Sequence, residues 1–553
     1  MSYFAQLPPD HILNRSPNPM ALWDSEELVK TYLKSSLPIF APDDRAPIQA
    51  RLKKLQFDRD LALMLLERKL LRWSEFPIRD LPDDILTIIF RFVVWSSADA
   101  AEGSKHRLYL TWICKRFRAL ALSDATLWSW VWIRDAAPWE RSFTYIQRAG
   151  MAPLDIRIDE KCGPKGDAHD NPPKYPRMTV PQIKNLLEVL KPQVGQLRTL
   201  IVVLANIEVV EAFMEGLSKA GPLTSLERIE VNRTGSPHLW PKEKCAGAGG
   251  HLALSAHPIP KLRELSLWGV TTNWNALPPS NLRTLTLRRI APEGCPTSDR
   301  WMEILRASPG LLKLSLDAAG PQRDTKNLDI RSARLPYLPS LRELTIENMS
   351  CVQAAHVLAH MHAPHVMHLS LMLSAREDSG QLVGLLAGRF PEVRMLHLQG
   401  LQVAKTDLNT VRTVRWFDSM PHLKMFKFSL TSSHILNALL ADPRDYHAQG
   451  TGPADGEEAK RPAICPELDT VLFDKQGEKD VSTLAKGRKD LGVVLKRVYT
   501  SDDTGSKRQE RMRIRESVGQ VLRVAEDNLQ KMTPEEAAVY DEMSESVGIV
   551  FKW

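Results

Sequence analysis

The side chains that could perform catalysis in this chain are few and not arranged for it. Gly247-Ala248-Gly249-Gly250-His251 is glycine-rich enough to bring backbone N–H groups to a phosphate. No Lys-Ser/Thr follows it and no strand–turn–helix pattern surrounds it, so it reads better as a loop between two elements. Cys114, Cys162, Cys245, Cys295, Cys351 and Cys465 form no C-x-x-C pair and no Cys/His array at zinc spacing. They point to reduced thiols, and hence to a cytoplasmic or nuclear setting. No G-x-S-x-G or H-E-x-x-H motif occurs, and the histidines are dispersed. The expectation is a protein without intrinsic catalysis, cofactor or metal. What is organised is apolar, and apolar surface at fixed spacing does the chemistry of recognition.

The largest such organisation is a phrase, L-x-x-L-x-L, that returns about ten times from Leu197 to Phe473. Examples are Leu262-Leu265-Leu267, Leu282-Leu285-Leu287, Leu341-Leu344-Ile346 and Val393-Leu396-Leu398. The last two apolar residues of each copy sit two apart, the alternation of a short strand with one buried face. Amphipathic stretches at helical spacing run between copies, at Val210–Leu217, Trp301–Ala307, Val352–Met361, Leu382–Leu386 and Ile435–Leu440. In seven copies a proline stands two residues before the leading apolar residue: Pro260, Pro309, Pro339, Pro364, Pro391, Pro421 and Pro466. Proline lacks a donor N–H and turns its predecessor away from the helical region, so it ends the helix and starts the strand. One strand–helix unit cannot bury its own apolar edge, so neighbours must stack. The spacing predicts an α/β solenoid, and its irregular period of 20 to 45 residues resembles the degenerate leucine-rich repeats of intracellular proteins.

Alternation along each strand fixes what projects from the open, concave face. The middle column reads Ser266, Thr286, Ser315, Thr345, Ser370. Hydroxyls there could bind a polar peptide, although Ser and Thr also simply suit exposed strand positions. Trp268, Arg288, Met372, Met395, His397 and Met425 lie on the same face and are the candidate substrate-binding residues, aromatic and methionine side chains being capable anchors. No arginine cluster suited to reading a phosphate accompanies them.

Upstream, Leu81-Pro82-Asp83-Asp84-Ile85-Leu86 leads into Thr87-Ile88-Ile89-Phe90. Pro82 suits a first helical turn, and the two aspartates complement the positive end of the helix dipole. Ile113-Cys114-Lys115-Arg116-Phe117-Arg118 and then Leu127-Trp128 follow. This short helical unit carries more apolar surface than it can hide by itself, as partner sites do. These residues, in this order, resemble the F-box motif over roughly Phe76–Trp132. Phe117 stands where the family usually has tryptophan, and the polar link from Trp95 to Leu108 is longer than in the shortest members. Followed by leucine-rich repeats, the chain is similar to F-box/leucine-rich-repeat proteins of the type abundant in mushroom-forming fungi. That resemblance implies an N-terminal helical F-box followed by a horseshoe-like repeat solenoid. It also implies a substrate-recognition subunit of a Skp–cullin–F-box (SCF-type) ubiquitin ligase, with one face on a Skp-type adaptor (and through it a cullin–RING ligase) and the repeats on a protein substrate. The residues it places against the adaptor are Leu81, Pro82, Ile85, Leu86, Ile89, Phe90, Ile113, Cys114, Phe117 and Trp128. Two other readings stay open: an F-box scaffold working outside any ligase, and a repeat protein whose N-terminal helices merely cap the array.

The remaining organisation follows from composition. Residues 1–47 read as a loosely ordered arm, 48–75 as an amphipathic helix, 76–135 as the F-box and 150–500 as the repeats, with a polar insertion over 441–462. Residues 501–553 read as a basic, then acidic, helical tail, its helical stretch from Glu516 to Lys531 a solvated cap ahead of an acidic patch near Glu535. A net charge of +7 on 553 residues, without a nucleic-acid-binding motif, argues against a nucleic-acid partner. No apolar run approaches the ~20 residues of a membrane helix, and no secretory signal is read at the N-terminus.

Overall fold

The structure is a computed structural model that describes residues 52–60, 63, 78, 81–96, 100–135, 137–160, 178–235, 253–277, 281–323, 335–374, 377–446, 463–474, 478–501, 514–524 and 533–547. The arm at 1–47, the run Gly247–His251, most of the 48–75 helix and residues 447–462 of the insertion lie outside these. The chain divides into two compact units, Met1–Ile89 and Phe90–Trp553, each described here by itself. In the first, residues 52–60 are helical and helix α1 (Asp83–Trp95) begins. The start of α1 is set as expected, with Asp83 and Asp84 in its first turn and the Leu86 N–H donating to the Pro82 carbonyl at 3.0 Å.

In the second unit, α2 (Ala100–Ile113) and α3 (Lys115–Ser123) follow. The link expected after Trp95 is therefore helical from Ala100 onward. Cys114 breaks the two apart by serving as N-cap of α3, its sulfur accepting the Phe117 N–H at 3.4 Å. A single 3-10 turn (Ala125–Trp128) is capped by Asp124, which accepts from the Thr126 N–H at 3.1 Å and its hydroxyl at 2.7 Å. This satisfies donors that a helix start leaves bare.

A parallel sheet of fourteen strands then builds in strict chain order. Its early strands are β1 (Trp130–Ile133), β2 (Leu154–Asp159), β3 (Leu197–Leu204), β4 (Arg228–Arg233) and β5 (Glu264–Trp268). The middle ones are β6 (Thr284–Arg288), β7 (Lys313–Asp317), β8 (Glu343–Met349), β9 (His368–Leu373) and β10 (Met395–Gln399). The last are β11 (Met425–Ser429), β12 (Thr470–Asp474), β13 (Arg497–Ser501) and β14 (Gln520–Val524). The interleaved helices include α4 (Glu140–Ala149), α5 (Val180–Leu190), α6 (Ile207–Lys219), α7 (Ser298–Arg306), α8 (Cys351–Ala359), α9 (Gly380–Leu386), α10 (Asp407–Asp418), α11 (Ser433–Ala438) and α12 (Glu478–Asp490). Neighbouring helices pack on each other, α5 on α6, α8 on α9, α9 on α10 and α10 on α11. The L-x-L residues of each strand, such as Leu344, Ile346, Leu369, Leu371, Leu396 and Leu398, are fully buried in one row after another. Each repeat thus supplies half of its neighbour's core.

Two strands differ from expectation. β1 lies inside the stretch expected to belong to the helical unit, where Trp130-Val131-Trp132-Ile133 alternates half-buried and buried. β14 occupies Gln520–Val524 inside the expected Glu516–Lys531 helix, paired with β13 in register, Tyr499 opposite Leu522, while 525–531 lie outside the described residues. The ladder outweighs local helical spacing there.

A recurring device closes the strands. The residue directly after β5, β6, β7, β10 and β11 takes a left-handed conformation: Gly269 (φ 62°), Arg289 (φ 52°), Ala318 (φ 46°), Gly400 (φ 71°) and Leu430 (φ 50°). This step aims an amide at the following strand. Gly269 and Arg289 donate to the Arg288 and Asp317 carbonyls at 2.7 Å, and Ala318 to Glu347 at 2.8 Å. Only glycine adopts this conformation without steric cost. Replacing the exposed Leu430 by glycine should therefore raise unfolding stability by about 0.5–1 kcal/mol. In contrast, Phe426→Ala should cost about 3–5 kcal/mol, as the ring is fully buried at 4.8 Å from Phe428 and 5.8 Å from Phe417. Urea titration of both variants reads the two opposite signs.

Candidate protein-interaction surfaces

Helix α1 has two unlike faces. Leu86, Phe90 and Val94, four residues apart, are buried, while Ile85, Ile88, Phe92 and Trp95 recur at intervals of three and four on the other side and are exposed. Phe92 is 74 % exposed, an uncommon state for a phenylalanine on a regular helix. α2 repeats the pattern, with Arg107 and Leu110 buried and Tyr109, Trp112 (68 %) and Ile113 (61 %) exposed. Tyr109 and Trp112 lie with ring centroids 5.6 Å apart.

The buried side is held by specific contacts. Phe90 meets Phe117 edge-on at 4.9 Å, and Trp128 donates its indole N–H to the Ala121 carbonyl at 2.7 Å. Arg107 is buried and donates to the Trp130 carbonyl at 2.7 Å, its guanidinium 4.2 Å from the Tyr145 ring centre. Arg91 reaches the Asp124 carboxylate at 2.8 Å. Burial disfavours the Asp124 charge, but hydrogen bonds from Arg91 and Thr126 outweigh it and hold the carboxyl below its ordinary range.

The expected adaptor residues are thereby sorted. Pro82, Ile85, Ile113 and Cys114 are exposed, and Leu81 and Ile89 are half-buried. Leu86, Phe90, Phe117 and Trp128, expected against the adaptor, are instead buried and serve internal packing, and Leu86 has no exposed area. Sequence reasoning missed Ile88, Phe92, Trp95, Tyr109 and Trp112. The 85-88-92-95 spacing was available to find the first three, but an apolar residue at nearly every position hid which stripe faced inward.

The sheet face away from the L-x-L rows is laid out by register. Ser266, Thr286, Ser315, Thr345 and Ser370 form one continuous row, but Ser315, Thr345 and Ser370 are buried rather than on an open face. Trp268, Arg288 and Met372 share another, interrupted by Asp317 and Glu347, with the Arg288 guanidinium 5.8 Å from the Trp268 ring centre. Met395 and Met425 are adjacent in a third row, and His397 lies beside Ser370 and Lys427. The six candidate substrate residues therefore fall into two groups.

The second group is not on open surface. Helix α13 (Pro534–Val547), in the acidic part of a tail expected to be solvated, lies across it. Val539, Tyr540 and Met543 bury themselves against Met367, Met395, Met425, Leu472 and Tyr499. Thr533 and Glu536 form a capping box, Glu536 accepting the Thr533 N–H at 2.7 Å while Thr533 Oγ1 accepts the Glu536 N–H at 3.2 Å. Ion pairs surround the apolar centre: Glu536 with Lys427 at 3.7 Å, Glu542 with Lys424 at 3.4 Å and with Arg394, and Glu535 with Arg497. Tyr499 also donates to Glu535 at 2.8 Å. At the near end, Tyr540 Oη and His368 Nδ1 are 2.8 Å apart. Burial raises the tyrosine pKa, so its hydroxyl stays protonated and donates to the neutral ring.

Among the described residues no three His, Cys, Asp or Glu side chains converge as metal ligands, and no helix is long and apolar enough to cross a membrane. No protein-family model matches the chain, and no curated protein matches it either. The functional reading therefore rests on these two surfaces.

Burial, with Lys313 and Lys427 adding repulsion, pushes His368 down to about 3; burial, Lys427 and His368 do the same to His397. Glu343 and Glu536 are the nearby carboxylates on the sheet and on α13. A free histidine titrates near 6.5, so the unfolded chain takes up these protons first. The contribution is complete above about 6.5 and is lost as pH falls toward 3. Thermal stability should decline between pH 7 and 5, where most carboxylates remain ionised, and His368→Gln/His397→Gln should flatten that decline; equal slopes in both proteins would refute the assignment.

Proposed function

We propose that this chain is a substrate-recognition subunit of an SCF-type ubiquitin ligase. The exposed faces of α1 and α2 bind a Skp-type adaptor, and the sheet holds a protein substrate. The observation that carries the reading is the apolar exposure, within the second unit, of Phe92 and Trp95 on α1 and of Tyr109, Trp112 and Ile113 on α2. It coincides with the segment whose residue order resembles the F-box. Large apolar side chains presented at helical spacing are what a helical partner needs, and leaving them in water has no folding benefit. The buried members of the motif, Phe90, Phe117 and Trp128, give those helices a rigid support. On this reading no residue of the chain performs bond chemistry. Holding a substrate lysine near a charged conjugating enzyme raises its effective concentration and so its rate of modification.

The test is a pull-down of the chain with a Skp adaptor, comparing the native protein with Phe92→Ala/Trp112→Ala. Both positions are exposed, so the melting temperature should hardly move. Adaptor binding should fall about tenfold or more, as expected for removal of two apolar anchors. Leu86→Ala should instead cost stability, about 2–5 kcal/mol. Absence of binding by the well-folded native chain would sink the reading and leave a repeat scaffold with capping helices. Adaptor binding without substrate ubiquitination would favour a scaffold outside the ligase.

A further inference from the structure

The helix α13 that lies on β9–β14 also describes, in its own chemistry, what this surface is built to hold. Its inward stripe is Glu536, Val539, Tyr540, Met543, spaced by three, one and three residues, the one-sided pattern of an amphipathic helix seated in a groove. Over Pro534–Val547 it carries Glu535, Glu536, Asp541, Glu542 and Glu545 and no lysine or arginine. The receiving surface is opposite in sign, with Arg394, Lys424, Lys427 and Arg497 around a floor of Met395, Met425 and Leu472. Methionines are adaptable packing partners, and a basic rim around an apolar floor selects for acidic helices.

We propose that this methionine and basic surface is a binding site for an acidic amphipathic helix of a protein partner, and that α13 occupies it in cis as a displaceable stand-in. The proposal deepens the reading of the sheet as a substrate-holding surface and rests on it. A tethered helix acts at an effective concentration on the order of millimolar, so a partner must bind tightly, or α13 must be released, before the site opens. Trp268 and Arg288 are half-buried and lie in a different row from Met395 and Met425.

Two measurements on the full chain test this. In the first, a labelled synthetic peptide of residues 533–547 is titrated against the native chain and against Val539→Ala/Tyr540→Ala/Met543→Ala. The variant should bind the peptide about tenfold or more tightly than the native chain does, and a peptide carrying Glu536→Lys/Glu542→Lys should lose that binding. A folded variant that ignores the peptide, or a native chain that binds it as well as the variant, overturns the proposal. In the second, hydrogen exchange of the native chain should show the α13 amides exchanging about 100-fold faster than those of β9–β11. Equal protection would make α13 a permanent part of the core and overturn the proposal even where the triple variant does not fold. Adaptor binding through α1 and α2 uses none of these residues, so a failure here and a failure of the ligase reading are read out separately.

Discussion

Every strand of the sheet takes its hydrogen-bond partners from the strands just before and just after it in sequence, in a register that scarcely shifts. Register in a sheet assigns every side chain to a face, and a slip of one residue would exchange the leucine rows for the polar ones. The buried rows and the hydroxyl row therefore have one cause. So does the contiguous methionine floor, since Met395 and Met425 are neighbours only because their strands are aligned. The left-handed step after several strands belongs to the same constraint, because it spends backbone strain to keep each amide on the next strand.

The two candidate surfaces solve the problem of exposed apolar area differently. On α1 and α2 the large side chains stand exposed. On β9–β14 the chain supplies its own cover. That cover couples two distant parts of the sequence through a mixed interface: an apolar centre, a Tyr–His hydrogen bond and a ring of ion pairs. Partly exposed ion pairs contribute little each, so the centre supplies most of the holding and the rim most of the selectivity.

Much of this was legible in the sequence. The repeat phrase and its prolines placed β3 to β12, and alternation put Trp268, Arg288 and Met372 on one face of the sheet. The rest depended on contacts that no local pattern encodes. Val539, Tyr540 and Met543 look like an ordinary solvated stripe until their partners in the sheet are known, so Met395 and Met425 read as exposed. Arg107, Arg233 and Arg488 are each buried and donate to backbone carbonyls, Arg488 to Ile464 at 3.1 Å and Cys465 at 3.0 Å. Planar, multi-donor guanidinium groups can satisfy several loop carbonyls at once, a use that charge patterning alone does not reveal. At α1 the difficulty was excess: with apolar residues at almost every position, only packing could show that Leu86 and Phe90 turn inward and Ile88 and Phe92 outward.

The hydrogen bond between His368 and Tyr540 spans 172 residues of sequence, whereas the sheet is assembled from consecutive repeats. A chain emerging from the ribosome can add its strands one by one as they appear. Synthesis at 5–20 residues per second would then leave the surface of β9 bare for roughly ten to thirty seconds before Tyr540 exists to cover it. A nascent chain is thus open where the finished one is closed, and a partner present during translation meets a different protein from one that arrives afterwards.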